Sequence, residues 1–165
     1  MIANDAPGLP PPPPQVVRPS GEVALSSWDW CINAAEERPV TGDVGQVEFS
    51  APEVTVNAQG GFAAAREEVP EDLRRPYTHK LDIWALGCLL CILLSGSKLS
   101  PFAGSGPDEV RQRIIKRNMQ FPHTLAHLER DLVERCLAEQ PADRPSAEGV
   151  LDHPVVRKHV AQEER

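Results

Sequence analysis

Two cysteines with C-x-x-C spacing, Cys88 and Cys91, are the residues whose types and spacing most directly suggest chemistry in this chain. This spacing occurs in dithiol redox centres and in zinc sites, where thiolates act as nucleophiles or metal ligands. A zinc site needs a second ligand pair of matching spacing, and Cys31, Cys136 and the five histidines do not provide one. Because both cysteines also lie in a strongly apolar run, the pattern favours cysteines packed in a protein core.

The apolar run from Leu81 to Gly96, with the sequence LDIWALGCLLCILLSG, is the element that must position these cysteines. As a helix it places large apolar side chains on every face, which is typical of a helix surrounded by protein. A membrane span is disfavoured, because the sixteen residues include Asp82 and a bilayer requires about twenty residues. The sequence therefore predicts a buried central helix.

Three motifs in and around this helix occur in the same order along the chain as in a known protein family. Asp82, Trp84 and Gly87 form a D-x-W-x-x-G pattern, and residues 45–54 upstream read GQVEFSAPEV. Downstream, Arg144 stands in QPADRPSAEGVLDHP, 62 residues after Asp82. Together these motifs resemble the large lobe of eukaryotic Ser/Thr protein kinases, whose activation segment closes on an A-P-E signature. The resemblance implies a mainly α fold, namely a truncated helical C-lobe of the protein kinase-like fold. A disordered Pro-rich N-terminus is expected to precede this lobe.

The resemblance also implies structural roles for several of these residues. Ala51, Pro52 and Glu53 match the A-P-E signature. Glu53 and Arg144 are expected to form a buried ion pair that ties the activation segment to the base of the lobe. Asp82 is expected to accept hydrogen bonds from the catalytic loop of an intact kinase. Without the resemblance, Glu53 and Arg144 would be interpreted as ordinary surface charges.

The residues that transfer phosphate in this family are not found in the sequence. It contains no G-x-G-x-x-G and no V-A-I-K, and residues 9–16, where the catalytic H-R-D loop is expected, read LPPPPPQV. Asp29, in Asp29-Trp30-Cys31, occupies a position similar to the metal-binding D-F-G aspartate, although an ordinary exposed acid is the favoured interpretation. Intact members use ATP and magnesium. We expect this chain to bind no cofactor by itself.

The activation segment departs from the family pattern in a second way. Gln46 follows Gly45 at the place where Ser/Thr kinases usually carry a threonine that touches the catalytic aspartate. Thr41 is a possible phosphorylation site, since it lies where the activating residue often occurs. The arginine of H-R-D that would bind such a phosphate is missing, so phosphorylation of Thr41 is expected to have little effect on the conformation of the activation segment.

The chain divides into three parts by composition. Residues 1–21 form a Pro-rich tail that is expected to be disordered, residues 22–156 a partial kinase domain, and residues 157–165 a charged C-terminal tail. The tract from Pro10 to Pro14 could bind an SH3-type or WW-type domain, although a passive tail is favoured. Residues 55–76 are read as an inserted surface loop, because the A-P-E motif and the central helix lie closer together in the family.

Helix signals become regular after the central helix. Pro107, followed by two acids, is a good first helical residue. Apolar residues at helical spacing predict a helix from Thr124 to Glu139, and Ser146 is placed to cap a last short helix. A group of basic residues on the first of these helices is interpreted as a solvated face: Arg111, Arg113, Lys116 and Arg117.

Length and charge narrow the function classes. The 165 residues, of 18.1 kDa, allow one domain with a real core, and the net charge of −7 disfavours a broad nucleic-acid surface. Met1 opens the chain without a basic or long apolar segment, so we expect an intracellular protein, cytoplasmic or nuclear, with no membrane attachment.

Two functions remain open. The first is a Ser/Thr-kinase-like large lobe, similar to the calcium/calmodulin-dependent group in ILLSG, Pro101-Phe102 and residues 118–122, and inactive by itself. The second is a non-catalytic pseudokinase scaffold or interaction module. Either is expected to need a protein partner or the missing kinase half. Because the helix that covers one side of the central helix in the family is absent, the isolated chain is expected to be marginally folded, dimeric or aggregating.

Overall fold

The computed structural model describes residues 46–55 and 78–163, with side chains to Val160. All of these residues belong to the compact unit Ala34–Arg165. Several sequence predictions fall outside the described residues: the Pro-rich tail with Pro10 to Pro14, Asp29, Cys31, Thr41, Gly45 and positions 56–76.

The described part of the chain is helical and contains no β-strand, which confirms the mainly α fold class. A short 3-10 turn at Val47–Phe49 is followed by a helical turn over residues 52–55. The longer elements are α1 (Lys80–Ser95), α2 (Pro107–Ile115), α3 (His127–Cys136), a second 3-10 turn (Pro141–Asp143), α4 (Ala147–Leu151) and α5 (Pro154–Glu163). Among the described residues, no helix combines the length and apolar character needed to cross a membrane.

Helix α1 lies at the centre of the core, as its apolar sequence predicts. Trp84, Cys88 and Cys91 pack into one apolar cluster with residues of α2 and α3. Ile83 packs into a second cluster with residues of α3, α4 and α5. The helix ends at Gly96, whose φ of 65° is left-handed and suits glycine at a helix C-terminus.

The close approach of α3 to α1 depends on Gly87. A Cβ added there would lie 2.8 Å from Cβ of Cys136 and 3.0 Å from Cδ2 of Leu137. At the C-terminal end of α1, Thr124 Oγ1 donates to the Ser95 carbonyl oxygen at 3.1 Å. The two contacts show that α3 runs antiparallel to α1, and that a glycine lets the two helices meet.

The predicted helix starts are present. Pro107 is the first residue of α2, and Glu109 accepts from the Ser105 amide at 2.7 Å and from Arg113 at 2.7 Å. These two donors, the amide first, lower the pKa of Glu109 to about 2. Ser146 Oγ caps α4 by accepting from the Gly149 amide at 3.1 Å. Helix α3 is shorter than the predicted Thr124 to Glu139.

Helix α5 is not predicted by the sequence analysis, which gave residues 157–165 as a charged tail. Pro154 opens this helix instead of ending the preceding one. His153 stabilises the start: its Nδ1 accepts from the Val155 amide at 3.4 Å, so Nε2 carries the hydrogen that Asp131 Oδ2 accepts at 3.0 Å. Hydrogen bonds from His153 and then Arg135 lower the pKa of Asp131.

Two further predictions are corrected. Helix α1 is not surrounded by protein on every face, since Leu89 is 44% and Leu93 66% exposed. The described helices and residues 46–55 cover the opposite face of α1, where Trp84 lies. In addition, Thr55 is not part of a surface loop: it is buried at the end of the helical turn, and its Oγ1 donates to the Ala51 carbonyl oxygen at 3.0 Å.

Candidate functional site

The centre of the candidate site is an ion pair between Glu53 and Arg144, which lie 91 residues apart in the chain. Arg144 Nη1 donates to Glu53 Oε1 and Nη2 donates to Oε2, each at 2.8 Å. The Arg144 side chain is fully buried and the Glu53 side chain is 3% exposed. Two parallel bonds of this kind fix both the distance and the relative orientation of the two groups.

The guanidinium of Arg144 also binds three backbone carbonyl oxygens. Nε donates to Ala138 at 2.9 Å, Nη1 to Lys80 at 3.0 Å and Nη2 to Glu139 at 3.2 Å. A guanidinium has five N–H donors, and the two bonds to Glu53 with these three use all of them. The buried charge is therefore fully hydrogen-bonded, which is the condition under which burial of an ion pair is tolerated.

Lys80 completes the site, and the sequence analysis missed it. Its Nζ donates to the carbonyl oxygens of Arg144 at 2.5 Å and Pro145 at 3.1 Å. Since Arg144 in turn donates to the Lys80 carbonyl oxygen, the two residues hold each other's backbone. A lysine in the first turn of a helix is opposed by the helix dipole, and this unusual placement is the sequence signal that could have revealed its role.

Trp84 forms one wall of the site. Its ring is fully buried and stacks on Phe102, with the ring centroids 5.4 Å apart and the planes 12° from parallel. The Arg144 guanidinium carbon lies 5.0 Å from the Trp84 ring centroid. This is within the range of a cation–π contact, which is stronger when desolvated. The aromatic pair thus shields the ion pair from water.

The residues before Glu53 are attached to the helices at further points. Ser100 Oγ donates to the Glu48 carbonyl oxygen at 3.1 Å, and Ala51 and Val54 are buried in the core cluster that contains Trp84. Pro52, which is half-buried, begins the helical turn. Gln46 is exposed at the start of this stretch, away from the ion pair. Residues 47–55 are therefore fixed on the helical body at several independent contacts.

Asp82 is not part of this arrangement. It is exposed, and within the described residues its carboxylate makes no hydrogen bond or ion pair. It lies on the face of α1 that carries Leu89 and Leu93, opposite Trp84. The structure therefore brings together Glu53, Arg144 and Trp84, and leaves Asp82 apart from them.

The C-x-x-C cysteines are buried and form no disulfide within the described residues, in agreement with core packing. Burial, followed by the nearby Cys91, raises the pKa of Cys88 to about 12, and burial raises that of Cys136 to about 11. Thiols of this kind are poor nucleophiles at neutral pH. Residues 46–55 and 78–163 also contain no group of three or more side chains suited to hold a metal ion.

The geometry is that of a structural anchor rather than a reaction centre. It supplies no nucleophile and no general base. It positions the stretch that ends at Glu53 against α1 and against the loop before Arg144, and it excludes water from both. Such an anchor can fix the position of residues 47–55 without taking part in a reaction.

Comparisons with known proteins agree with this geometry. The family model described as the protein kinase domain matches residues 16–156. Aurora kinase C of Mus musculus is 29% identical over 140 residues, which cover 85% of this chain and 44% of that protein. A calcium and calcium/calmodulin-dependent serine/threonine-protein kinase of Lotus japonicus is 31% identical over 147 residues, which cover 86% of this chain and 25% of that protein. The 3-phosphoinositide-dependent protein kinase 1 of Arabidopsis thaliana is 36% identical over 100 residues, 59% of this chain and 20% of that protein.

The chain therefore spans less than half the length of each of these relatives. The family match covers most of the chain, and it includes the buried Glu53–Arg144 pair, the aromatic wall at Trp84 and the close helix contact at Gly87. This chain belongs to the protein kinase family.

Proposed function

We propose that this chain provides the substrate-side lobe of a Ser/Thr protein kinase-like protein and does not transfer phosphate by itself. The observation that carries the proposal is the fully hydrogen-bonded Glu53–Arg144 anchor. It holds the end of the activation segment in a lobe whose sequence contains no G-x-G-x-x-G and no V-A-I-K.

The physical reason is that phosphoryl transfer depends on positioned charges. A kinase needs donors over the nucleotide phosphates, carboxylate and amide ligands for magnesium, and an acid that orients the substrate hydroxyl. Residues 9–16, where that acid is expected, offer only Gln15 as a polar side chain. The sequence motifs of this chain therefore do not supply the groups that bind ATP and magnesium in intact kinases.

The group within the family is a second part of the proposal. ILLSG, Pro101-Phe102 and residues 118–122 resemble the calcium/calmodulin-dependent kinases. The relatives include a calcium and calcium/calmodulin-dependent serine/threonine-protein kinase, which supports Ser/Thr specificity for an intact version of the protein. An intracellular site, cytoplasmic or nuclear, and a possible SH3-type or WW-type ligand in Pro10 to Pro14 belong to the same proposal.

The second candidate function is a pseudokinase scaffold. It is favoured by the attachment of residues 47–55 at several contacts, because that surface keeps its shape without any catalytic residue. In this role the lobe would bind a protein partner or a separate kinase half. The scaffold predicts a cooperative thermal transition for the isolated chain, whereas an incomplete lobe predicts a broad one.

Nucleotide binding and phosphate transfer test the first proposal. We expect no change in melting temperature with Mg-ATP, and no transfer of labelled phosphate to a generic basic peptide. The matched variants are Asp29→Ala, at the D-F-G-like position, and Asp143→Ala, at another acid, which is exposed. A thermal shift that disappears in Asp29→Ala and persists in Asp143→Ala would refute the proposal.

A further inference from the structure

His153 joins α4 to α5 and is a buried titratable residue that the ion-pair anchor does not use. It is 8% exposed. Its carbonyl oxygen accepts from the Arg157 amide at 3.0 Å, a bond of the first turn of α5. Its side-chain Nδ1 accepts from the Val155 amide at 3.4 Å. His153 is therefore the N-cap of α5, a position where serine, threonine, asparagine and aspartate are usual.

The other ring nitrogen of His153 binds a carboxylate on a different helix. Nε2 lies 3.0 Å from Oδ2 of Asp131 on α3. Because Nδ1 accepts, Nε2 carries the one hydrogen of the neutral ring. Hydrogen bonds from His153 and then Arg135 lower the pKa of Asp131, so this carboxylate is ionised throughout the pH range in which histidine titrates. The ring therefore has to accept at Nδ1 and donate at Nε2.

The charged groups around this ring come from all three helices that meet there. Helix α3 supplies Asp131 and Arg135, whose Nε donates to the same Oδ2 at 2.8 Å. Asp152 directly precedes His153 after α4, and it pairs with Arg157 of α5 at 2.8 Å. Both cations are thus already paired with carboxylates. Within the described part of the chain, Asp131 is the charged group whose atoms contact the ring.

A proton from the solvent affects the two ring contacts in opposite ways. It binds the lone pair of Nδ1, which leaves the ring with two N–H donors and a positive charge. The new Nδ1 hydrogen then faces the Val155 N–H, so the cap is lost. The charge also lies at the N-terminus of a ten-residue helix, where the helix dipole disfavours a cation. The contact of Nε2 with ionised Asp131 is kept and becomes charge-assisted.

We propose that protonation of His153 releases the first turn of α5, while the imidazolium stays bound to Asp131 on α3. When the turn is closed, the Val155 N–H occupies Nδ1; when it is open, Nδ1 takes a proton. The open state therefore binds one more proton, and its population rises as the pH falls through the range in which histidine titrates. Val155, which is 7% exposed and belongs to the same apolar cluster as Leu132, is uncovered when the turn opens. The inference does not rest on the proposed function, since no nucleotide or substrate enters it.

Hydrogen exchange of the full chain, followed by NMR, tests the release of the turn. Rates are compared as protection factors, which remove the intrinsic pH dependence of amide exchange. The protection factor of the Arg157 amide should fall by about tenfold between about pH 7.5 and about pH 5.5, since uptake of one proton changes an equilibrium by up to about tenfold per pH unit. The Leu137 amide, which donates to the Val133 carbonyl oxygen at 2.9 Å at the end of α3, is the internal control. Its protection factor should stay within about twofold.

Two substitutions at the same position separate the two ring contacts. Asparagine places an oxygen near the Nδ1 position without reaching Asp131, so His153→Asn should keep the Arg157 amide protected at both pH values. Glutamine places its amide near the Nε2 position and leaves Val155 without an acceptor. His153→Gln should therefore show, at both pH values, protection as low as that of the parent chain at the lower pH. The matched control is His159→Gln, since His159 is an exposed histidine of the same helix; this variant should keep the pH dependence of the parent chain.

The tautomer of the His153 ring gives a second, independent test on the parent chain. Two-bond proton–nitrogen NMR correlations at neutral pH should show hydrogen on Nε2, and hydrogen on Nδ1 would overturn the inference. So would equal protection of the Arg157 amide at the two pH values, or an equal loss at Leu137, which would indicate general acid unfolding. A pH dependence that survives in His153→Asn or disappears in His159→Gln would also overturn it. If His153→Gln fails to fold, the tautomer and the asparagine variant still decide the question.

Discussion

Replacement of Arg144 by methionine is the substitution whose cost follows most directly from the structure. It removes five hydrogen bonds, leaves the Glu53 carboxylate buried without a counter-charge, and leaves three carbonyl oxygens without their donor. Breaking a buried pair costs about 3 to 5 kcal/mol, and the orphaned carbonyls add roughly 1 kcal/mol or more. We expect the free energy of unfolding to fall by about 5 kcal/mol, against a whole-domain stability of about 5 to 15 kcal/mol.

The same reasoning predicts that substitutions at Glu53 and Arg144 differ in their cost to stability, and that the two costs are strongly coupled. Glu53→Gln should cost less, about 3 kcal/mol, because Arg144 keeps its three carbonyl acceptors and one amide oxygen. The double variant should cost no more than Arg144→Met alone, since no buried charge is then unpaired. The coupling energy is therefore at least about 3 kcal/mol, measured by urea denaturation followed by far-ultraviolet circular dichroism.

Arg157→Met is the matched control, because the Arg157–Asp152 pair has the same 2.8 Å separation but both side chains are more than two-thirds exposed. An exposed pair contributes little, so this variant should stay within about 0.5 kcal/mol of the parent chain. If Arg144→Met proved as mild as Arg157→Met, or if the two effects at Glu53 and Arg144 were additive, the anchor would not stabilise the lobe in the way its geometry implies.

Three further outcomes are expected. Gly87→Ala should lower the free energy of unfolding by about 1 to 3 kcal/mol in the same denaturation assay, because the added methyl group would lie too close to Cys136. Gly106→Ala is the control and should cost much less, because a Cβ added there has no neighbour within 4 Å. Cys88 and Cys136 should resist iodoacetamide at pH 8 until denaturant is added, as read by peptide mass spectrometry, since burial raises the pKa of both thiols; rapid native labelling would contradict their burial. The folded-state pKa of Glu109 is about 2, which is below the unfolded value of about 4.3. The ionised Glu109 carboxylate therefore stabilises the fold above about pH 4.3, and this stabilisation is lost as the pH falls towards about 2. An NMR titration that gave the Glu109 carboxyl a pKa of about 4.3 would contradict this.

The elements that sequence reasoning found are those with local signals. The apolar run of α1, the proline at the start of α2 and the Ser146 cap of α4 each depend on residues within a few positions of one another. Local chemistry of this kind does not need knowledge of the tertiary fold. The pairing of Glu53 with Arg144 required the family resemblance, because no local pattern links residues so far apart.

The features that were missed depend on tertiary contacts. Helix α5 is short and weakly patterned, and its start is fixed by the His153 contact with Asp131 on another helix. The role of Lys80 depends on carbonyl oxygens 64 and 65 residues away. The exposure of Leu93 could not be read from an apolar sequence, since burial depends on which neighbours are present.

The sequence separation of the Glu53–Arg144 pair also has a consequence for synthesis on the ribosome. Ninety-one residues must be added after Glu53 before its partner exists, which takes roughly 5 to 20 seconds at ordinary elongation rates. During that interval the nascent chain already contains the apolar α1 segment, while the Glu53 carboxylate, which is buried in the folded protein, is still hydrated. The emerging polypeptide therefore exposes this apolar segment until Arg144 and the helices after it leave the exit tunnel, and translational pausing before Arg144 would lengthen that exposure.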